Sequence, residues 1–258
     1  MENVLKQKIK DGKVVLGAQL RFGSPAIAEL FGYAGFDYIV LDCEHAPQTP
    51  EGIQAQIQAI NCTGATPIVR VPKNDPDTMR VYLDMGASGI LAPFVNTADE
   101  ARAGAQALRY PPAGTRGFGP SRAAKYGLDS EYLKTADDNM LYLPIIEDIK
   151  AIENIDEIFA VDGMDVPVIG ACDLAMSMGL STQVEHPEVE AAVEKVVSAA
   201  KRAGKPACSC VYGGDLFEPD VYKKRIDQGF QVLLIGGDEW MMGDACKKII
   251  SCMSQLKK

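Results

Sequence analysis

The chain alternates between short apolar runs and longer segments in which apolar residues recur every three to four positions. Short runs rich in Val, Ile and Leu are typical of strands that are buried on both faces. Seven of the eight runs end at or directly before a glycine, a proline or a charged residue, which marks the end of a strand. The pattern predicts strands over residues 14–20, 38–41, 67–71, 89–93, 140–146, 166–170, 206–211 and 231–235.

The segments between these runs have the helical period, and several begin with Ser, Thr or Asp followed by Pro, which is typical of a helix start. They predict helices over residues 24–33, 49–60, 75–84, 97–108, 148–159, 174–178, 187–203, 220–228 and 238–253. Eight strands alternating with helices in 258 residues predict an α/β fold, a closed (β/α)8 TIM barrel forming a single domain over residues 1–258. A doubly wound open sheet is the main competitor, but no Gly-x-Gly-x-x-Gly follows the first strand.

Composition narrows the class of protein. A hydrophobic fraction of 47% suits one large core, and a net charge of -9 argues against nucleic acid or an anionic membrane as partner. No apolar run approaches the ~18 residues that a membrane-spanning helix needs. Seven cysteines, an odd number scattered along the chain, favour reduced thiols. We therefore expect a cytoplasmic protein.

The segment Tyr38 to Pro47, YIVLDCEHAP, carries charge where a predicted strand ends: Asp42, Glu44 and His45 follow its apolar run. A histidine beside carboxylates is the group from which a base near neutral pH is most readily made. A structural histidine at a strand end is an equally good interpretation of this segment alone. The chain has one other histidine, His186, which precedes a proline and is predicted to lie at a helix start.

In a barrel, the groups at the carboxyl ends of the strands converge on one site. Arg70 ends the run TPIVR, where a buried guanidinium needs either a bound anion or an ion pair with Asp42 or Glu44. Glu147 and Asp173 follow two later strands, so their carboxylates meet at the same mouth. Two converging carboxylates need a shared proton or a cation, and an all-oxygen site suits magnesium or manganese. Alternatively, both residues cap helices.

Several segments, in this order, resemble the HpcH/HpaI aldolase family: LDCEHAP, PIVRVP, LDMGASGILAPFVNTADEA, RYPPAGTRGFG, IIEDIKAIENIDEI, GACDL and HPEV. The resemblance extends over residues 17–238. It implies an eightfold α/β barrel that assembles into a homo-oligomer, a trimer or a hexamer. It also implies cleavage of a 4-hydroxy-2-oxo acid to pyruvate and an aldehyde, with Mg²⁺, Mn²⁺ or Co²⁺ as cofactor.

The resemblance also implies roles for individual residues. His45 would be the base, Arg70 would stabilise the enolate oxygen, and Glu147 and Asp173 would hold the metal ion. The backbone amides of Cys172 and Asp173 would receive the pyruvate carboxylate. Each of these residues stands at its motif position in this chain.

The family also has an acid beside the histidine, at the position of Asp84. Since Asp84 ends a predicted helix, it lies at the opposite end of the barrel from His45 and could reach that residue only from a neighbouring subunit. Asp42, three residues before His45, is the candidate within the same chain.

The chain departs from the family at two places. Ile145 stands where many members have glutamine, and residues 171–175 read ACDLA in place of Pro-Ala-Asp-Leu-Ser. One alternative is therefore a barrel that binds 2-oxo acids with impaired catalysis. A lyase acting on a coenzyme A ester is another, though the sequence has no basic patch for that ligand. A Schiff-base mechanism is disfavoured because the nearest lysine, Lys73, follows Pro72 in a loop.

Overall fold

The strands of the computed structural model, which describes residues 2–211 and 216–256, pair in chain order and in parallel, and the eighth returns to the first. The predicted closed barrel is confirmed for this part of the chain. The later strands are shorter than predicted, most of all the sixth. The strands are β1 (Val15–Leu20), β2 (Tyr38–Asp42), β3 (Thr66–Arg70), β4 (Gly89–Ala92), β5 (Leu141–Ile146), β6 (Val168–Ile169), β7 (Cys208–Val211) and β8 (Val232–Ile235).

Helices follow the strands and surround them. Four helices, the second, third, fourth and tenth along the chain, have Pro at the first helical position, and the side chain of the residue before it caps the helix. The cap accepts a backbone N–H that has no partner within the helix, and Pro has no N–H that would need one. The helices are α1 (Val4–Lys10), α2 (Pro25–Ala34), α3 (Pro50–Ile60), α4 (Pro76–Asp84), α5 (Ala98–Ala107), α6 (Tyr132–Asn139), α7 (Ile149–Glu153), α8 (Ile155–Phe159), α9 (Ala171–Ser177), α10 (Pro187–Arg202), α11 (Asp220–Gln228) and α12 (Asp238–Leu256).

Two apolar layers hold the barrel together, and the two-residue period of the strands separates them. Side chains such as Val40 and Leu143 fill the lumen, and Leu5 and Ile9 of α1 join this layer at the amino-terminal end. The alternate strand positions pack outward against the helices. A strand residue therefore faces the lumen or the helix shell according to its position in this alternation.

The structure differs from the predicted helices at three places. The helix predicted over 148–159 is two short helices, because the backbone at Asn154 leaves helical geometry and its side chain donates to the Asn96 carbonyl oxygen at 2.9 Å. Helix α1 was not predicted, since it buries only Leu5 and Ile9. Helix α6 was also missed, and Ala136 is its one buried residue. Among the described residues, no helix is long and apolar enough to span a bilayer.

Candidate active site

The lumen face continues into a ring of polar side chains at the carboxyl end of the barrel. Four polar residues each stand two positions after a residue that faces the lumen. Because side chains alternate between the two faces of a strand, the polar side chain also points toward the barrel axis. All four are buried. They are Gln19 after β1 residue Gly17, Asp42 after Val40, Arg70 after Ile68, and Glu147 after Ile145.

Asp42 is the hub of this ring. Its Oδ1 accepts the backbone N–H groups of Glu44 at 3.0 Å and His45 at 3.1 Å, an Asx-type turn that bends the chain after β2. Its Oδ2 accepts Nε2 of Gln19 at 2.5 Å and Nε of Arg21 at 3.0 Å. Asp42 therefore binds the backbone of His45, and none of these bonds involves the imidazole.

Arg70 is paired and yet incompletely satisfied. Its Nη2 lies 2.5 Å from Oε2 of Glu44 and its Nη1 lies 3.9 Å from Oδ2 of Asp42, so the ion pair considered from the sequence is present. Burial disfavours the charged form of Asp42, but Arg70 and the two backbone donors outweigh it and lower the pKa of Asp42. The buried Nε of Arg70 has no hydrogen-bond partner in the described residues. The guanidinium of Arg70 therefore keeps one polar atom unsatisfied at the carboxyl end of the barrel.

His45 lies at the rim of the mouth. Its side chain is 52% exposed, and its Nε2 lies 3.6 Å from Oε2 of Glu44. Burial raises the pKa of Glu44 against the opposing charges of Arg70 and His45. The other histidine, His186, accepts the backbone N–H of Glu188 and caps α10, as its place before a proline predicted.

Glu147 is buried in the mouth and does not cap a helix. Asp148 caps α7, whereas Oε1 of Glu147 accepts the backbone N–H of Phe94 at 2.8 Å. A Cβ on Gly170 would lie 2.7 Å from Oε2 of Glu147, so the carboxylate occupies a space that only glycine leaves open. Burial raises the pKa of Glu147 to about 7, and the charge of nearby Asp173 contributes to the shift.

Asp173 is half-buried in the first turn of α9, a turn that begins at Ala171, earlier than predicted. The amide of Cys172 also belongs to this first turn, whose N–H groups lack intrahelical acceptors, and Gly170 provides no side-chain cap. Burial raises the pKa of the Cys172 thiol, which favours its neutral form. No cluster of three or more His, Cys, Asp or Glu side chains suited to a metal ion occurs in residues 2–211 and 216–256. The charge of Asp173 acts on Glu147, so these two carboxylates are neighbours in the mouth.

Asp84 lies away from this mouth. It is the last residue of α4, which places it toward the amino-terminal end of the barrel, and its Oδ1 accepts Nη2 of Arg116 at 2.8 Å. Arg116 is buried, stacks over the ring of Tyr110, and leaves its Nε and Nη1 without hydrogen-bond partners in the described residues. The structure brings His45, Arg70, Asp42, Glu147 and Asp173 together and leaves Asp84 outside that group.

Two features of the mouth were missed from the sequence. Phe94 has a positive φ of 51°, an uncommon conformation for a bulky residue, and this geometry presents its N–H to Glu147. Arg21, which follows β1, donates Nη1 to Oε1 of Glu239 on α12. The residue types Phe and Arg do not predict the contacts with Glu147 and Glu239. The two-residue period of β1 predicts only that Arg21 lies on the same side as Gln19.

A cavity of about 700 Å³ lies at the other end of the barrel, lined by Lys6 and Lys205 among others. Both lysines already have partners: Lys6 pairs with Asp165 at 3.1 Å, and Lys205 donates to the carbonyl oxygen of Met164 at 2.9 Å. The carboxyl-end mouth, with its buried charges, is therefore the candidate active site.

Comparison with known proteins identifies the family of the chain. The family model described as HpcH/HpaI aldolase/citrate lyase matches residues 20–236. A 4-hydroxy-2-oxo-heptane-1,7-dioate aldolase of Escherichia coli is 36% identical over 96% of this chain and 94% of its own length. A 2-dehydro-3,6-dideoxy-6-sulfogluconate aldolase of Pseudomonas putida is 35% identical over 94% of this chain and 93% of its own.

The fold agrees as well. The crystal structure of an HpcH/HpaI aldolase/citrate lyase family protein from Burkholderia cenocepacia J2315 superimposes with a TM-score of 0.92 at 29% identity, covering 98% of this chain and 99% of that one. The resemblance found in the sequence motifs is confirmed over nearly the whole barrel. The chain therefore belongs to the HpcH/HpaI aldolase/citrate lyase family and is a carbon–carbon lyase of the aldolase type.

Proposed function

We propose that the chain catalyses the divalent-metal-dependent, reversible cleavage of a 4-hydroxy-2-oxo acid to pyruvate and an aldehyde. The observation that carries the proposal is the buried, unpartnered Nε of Arg70, which lies in the same mouth as the carboxylates of Glu147 and Asp173. A buried donor without a partner is costly unless a ligand accepts from it. An enolate oxygen formed in the mouth would satisfy this donor.

A divalent metal ion suits the donor set of Glu147 and Asp173. Both are hard carboxylate oxygens, neither caps a helix with its side chain, and the charge of one disfavours ionisation of the other. Glu147 and Asp173 would hold the ion in the mouth. Bound there, Mg²⁺, Mn²⁺ or Co²⁺ would polarise the 2-oxo group and make the adjacent carbon more acidic.

The remaining groups have separate tasks. His45 takes the proton of the C4 hydroxyl, the bond between C3 and C4 breaks, and its electron pair passes to the enolate of pyruvate. Arg70 stabilises the enolate oxygen while the aldehyde leaves. A proton delivered to C3 completes pyruvate. The amides of Cys172 and Asp173, at the start of α9, receive the substrate carboxylate.

Two acidic residues, Asp42 and Asp84, are candidates to assist His45, and they lie at opposite ends of the barrel. Asp42 acts within the chain by holding the backbone of His45. Asp84 contributes only if another subunit brings it to the mouth, since within one chain it pairs with Arg116.

A homo-oligomer, a trimer or a hexamer, is part of the proposal. Helix α12 leaves large apolar side chains 47–78% exposed, far more than a folded helix normally leaves uncovered, and a second copy of the chain would cover them. They are Trp240, Met242, Ile249, Ile250, Met253 and Leu256. A cytoplasmic location is also proposed, because Cys43, Cys62, Cys172, Cys208, Cys246 and Cys252 are free thiols.

The relatives support the reaction class, and they leave the aldehyde open. One cleaves a heptanedioate and the other a sulfogluconate derivative, so similar barrels accept different aldehydes. The natural aldehyde of this chain is not part of the proposal.

Exchange of the pyruvate methyl protons into heavy water tests the proposal, because the exchange requires the enolate and no aldehyde. We expect exchange with magnesium, manganese or cobalt present and a condensation product when glyoxylate is added. EDTA should abolish both. Turnover that persists in EDTA would reject the metal dependence and leave the aldolase class intact.

Ile145 favours one other candidate, a barrel that binds 2-oxo acids without turnover. Its apolar side chain is buried in the lumen two residues before Glu147, where a polar group is common in the family. Pyruvate or oxalate binding without methyl-proton exchange, in the presence of each metal, would favour this candidate over the enzyme.

A further inference from the structure

Arg21 connects the start of α12 to the hub of the active site. Its Nε donates to Oδ2 of Asp42 at 3.0 Å and its Nη1 donates to Oε1 of Glu239 at 2.9 Å. Asp42 is fully buried, and Arg21 and Glu239 are mostly buried. One guanidinium therefore bridges an active-site carboxylate and the helix that carries the exposed apolar face.

The helix end of this bridge is fixed by further contacts. The two carboxylate oxygens of Asp238 accept the backbone N–H groups of Arg21 at 2.9 Å and Phe22 at 3.2 Å. A Cβ on Gly237 would overlap the carboxylate of Glu239, so glycine leaves the space that this carboxylate fills. The first turn of α12 thus holds both the backbone and the side chain of the β1 exit.

The active-site end of the bridge is the carboxylate of Asp42, which fixes the turn that carries Glu44 and His45, here called the catalytic turn. Asp42 uses Oδ2 for Gln19 and Arg21, and Oδ1 for the amides of Glu44 and His45. The donors on Oδ2 set the rotation of the carboxylate, and that rotation decides whether Oδ1 meets the two amides. Loss of Arg21 leaves Gln19 as the hydrogen-bond donor to that oxygen, while Nη1 of Arg70 lies 3.9 Å away, beyond hydrogen-bond distance.

A direct contact between Arg21 and substrate is a weaker explanation of its position. Two of its nitrogens are already bound to carboxylates, and a third carboxylate, that of Asp238, lies against its own backbone. An anionic substrate tail would meet more negative than positive charge there.

We propose that Arg21 is a positioning residue that holds Asp42, and through it the turn carrying Glu44 and His45, and that Glu239 makes this arrangement depend on the placement of α12. In the proposed oligomer, α12 docks on another copy of the chain. Docking of the helix and order in the catalytic turn are then coupled through one guanidinium. The activity part of this inference rests on the proposed function, whereas the structural part does not.

Hydrogen exchange at the amides of Glu44 and His45 tests the structural part, because both donate to Asp42. In Arg21→Met, which keeps the length and apolar stem of the side chain, we expect these two amides to exchange about tenfold faster or more, while the amides of β2 stay protected. Arg21→Lys, which restores the charge, should recover part of the protection. Arg202→Met, which removes an exposed ion pair with Asp156, is the matched control and should change neither amide.

The helix link has its own variant. Glu239→Gln should raise the exchange of the same amides in the same direction, and adding it to Arg21→Met should have little further effect, since both act through one bridge. Wild-type protection in Glu239→Gln would overturn the link to α12. Wild-type protection in Arg21→Met would overturn the positioning role; if that variant fails to fold, fully wild-type protection in both Arg21→Lys and Glu239→Gln would do so.

Kinetics separate positioning from simple loss of structure. In the folded Arg21→Met protein, kcat for pyruvate proton exchange should fall while KM for pyruvate changes less than about twofold, because other groups bind pyruvate. A rise in KM with unchanged kcat would overturn positioning in favour of binding. An inactive wild-type protein would reject the proposed function, and the amide measurements would still decide the role of Arg21.

Discussion

The carboxylate of Asp42 accepts the backbone N–H of His45 at 3.1 Å, and its other hydrogen bonds are to Gln19, Arg21 and the backbone of Glu44 and not to the imidazole. The imidazole lies instead beside Glu44, with 3.6 Å between Nε2 and Oε2. Asp42 therefore fixes the place of the histidine in the chain, and the ring remains half-exposed at the rim of the mouth. Loss of the imidazole and loss of the turn should have different consequences.

The first prediction concerns His45→Ala. Methyl-proton exchange of pyruvate and aldol cleavage should fall by ~100 to 10,000-fold, the usual value of a general base. The free energy of unfolding should stay within ~0.5 kcal/mol of wild type, because the side chain is half-exposed and its backbone contact remains. Steady-state kinetics and urea unfolding provide the two measurements.

His186→Ala is the control for that variant, since it removes the other histidine. It should cost about 1 kcal/mol of stability through the lost cap of α10 and leave activity per folded molecule unchanged. If His45→Ala instead lowers stability and keeps activity, His45 is a structural residue.

The second prediction separates the two roles of Arg70. Arg70→Ala should lower activity by about 100-fold or more through loss of the enolate partner, and should also cost about 3 kcal/mol of stability, because Glu44 is left buried without its cation. Adding Glu44→Gln removes the unpaired charge and should recover much of the stability. Activity should stay low in the double variant. Activity that returns together with stability would mean that Arg70 serves only the ion pair.

Much of the fold was predictable from the sequence, because the spacing of apolar residues and the residues that begin or end helices and strands indicated the same elements. Apolar runs gave all eight strands, and capping residues before proline gave four helix starts. Failures occurred where few side chains are buried: α1 buries only Leu5 and Ile9, so its pattern is too sparse to recognise. The break at Asn154 depends on a bond to the distant Asn96 carbonyl oxygen, which no local pattern contains.

The positions of the candidate site residues were predictable from the sequence, and their contacts were not. Strand exits and motif positions identified Asp42, Arg70 and Glu147, because a barrel brings these ends together. The sequence left open whether Glu147 caps the helix that follows β5. In the structure, Asp148 occupies the cap position of α7. The bond from Arg21 to Glu239 joins residues 218 positions apart, and only the closed barrel brings them together.

The third prediction concerns the apolar face of α12. Ile250→Glu places a charge in the middle of that face, where Ile250 is 68% exposed in a single chain. We expect a smaller assembly by light scattering after gel filtration, with a monomer signal that grows on dilution, because the charge opposes burial against another copy. Lys247→Glu on the same helix, at a side chain that is 82% exposed, changes charge without removing an apolar side chain and serves as the control. An unchanged mass for Ile250→Glu would exclude this face as an interface.

The last prediction follows from the pKa of Glu147, which burial raises from 4.5 to about 7. Between these values the folded protein holds a proton that the unfolded chain has lost, so the free energy of unfolding contributed by this group falls as pH rises. In EDTA, the metal-free protein should lose on the order of 3 kcal/mol from this group between pH 4.5 and pH 8.

Glu147→Gln isolates that contribution, since glutamine resembles the protonated side chain and does not titrate. Urea unfolding at pH 5, 6, 7 and 8 should find the variant similar to wild type at pH 5 and more stable at pH 8. Adding Mg²⁺ or Mn²⁺ at pH 8 should stabilise wild type, because the ion favours the carboxylate, and should leave the variant nearly unchanged. Parallel stability curves for the two proteins from pH 5 to 8 would mean that Glu147 is already ionised in the folded state, and that the mouth offers its carboxylate to a cation without a proton to displace.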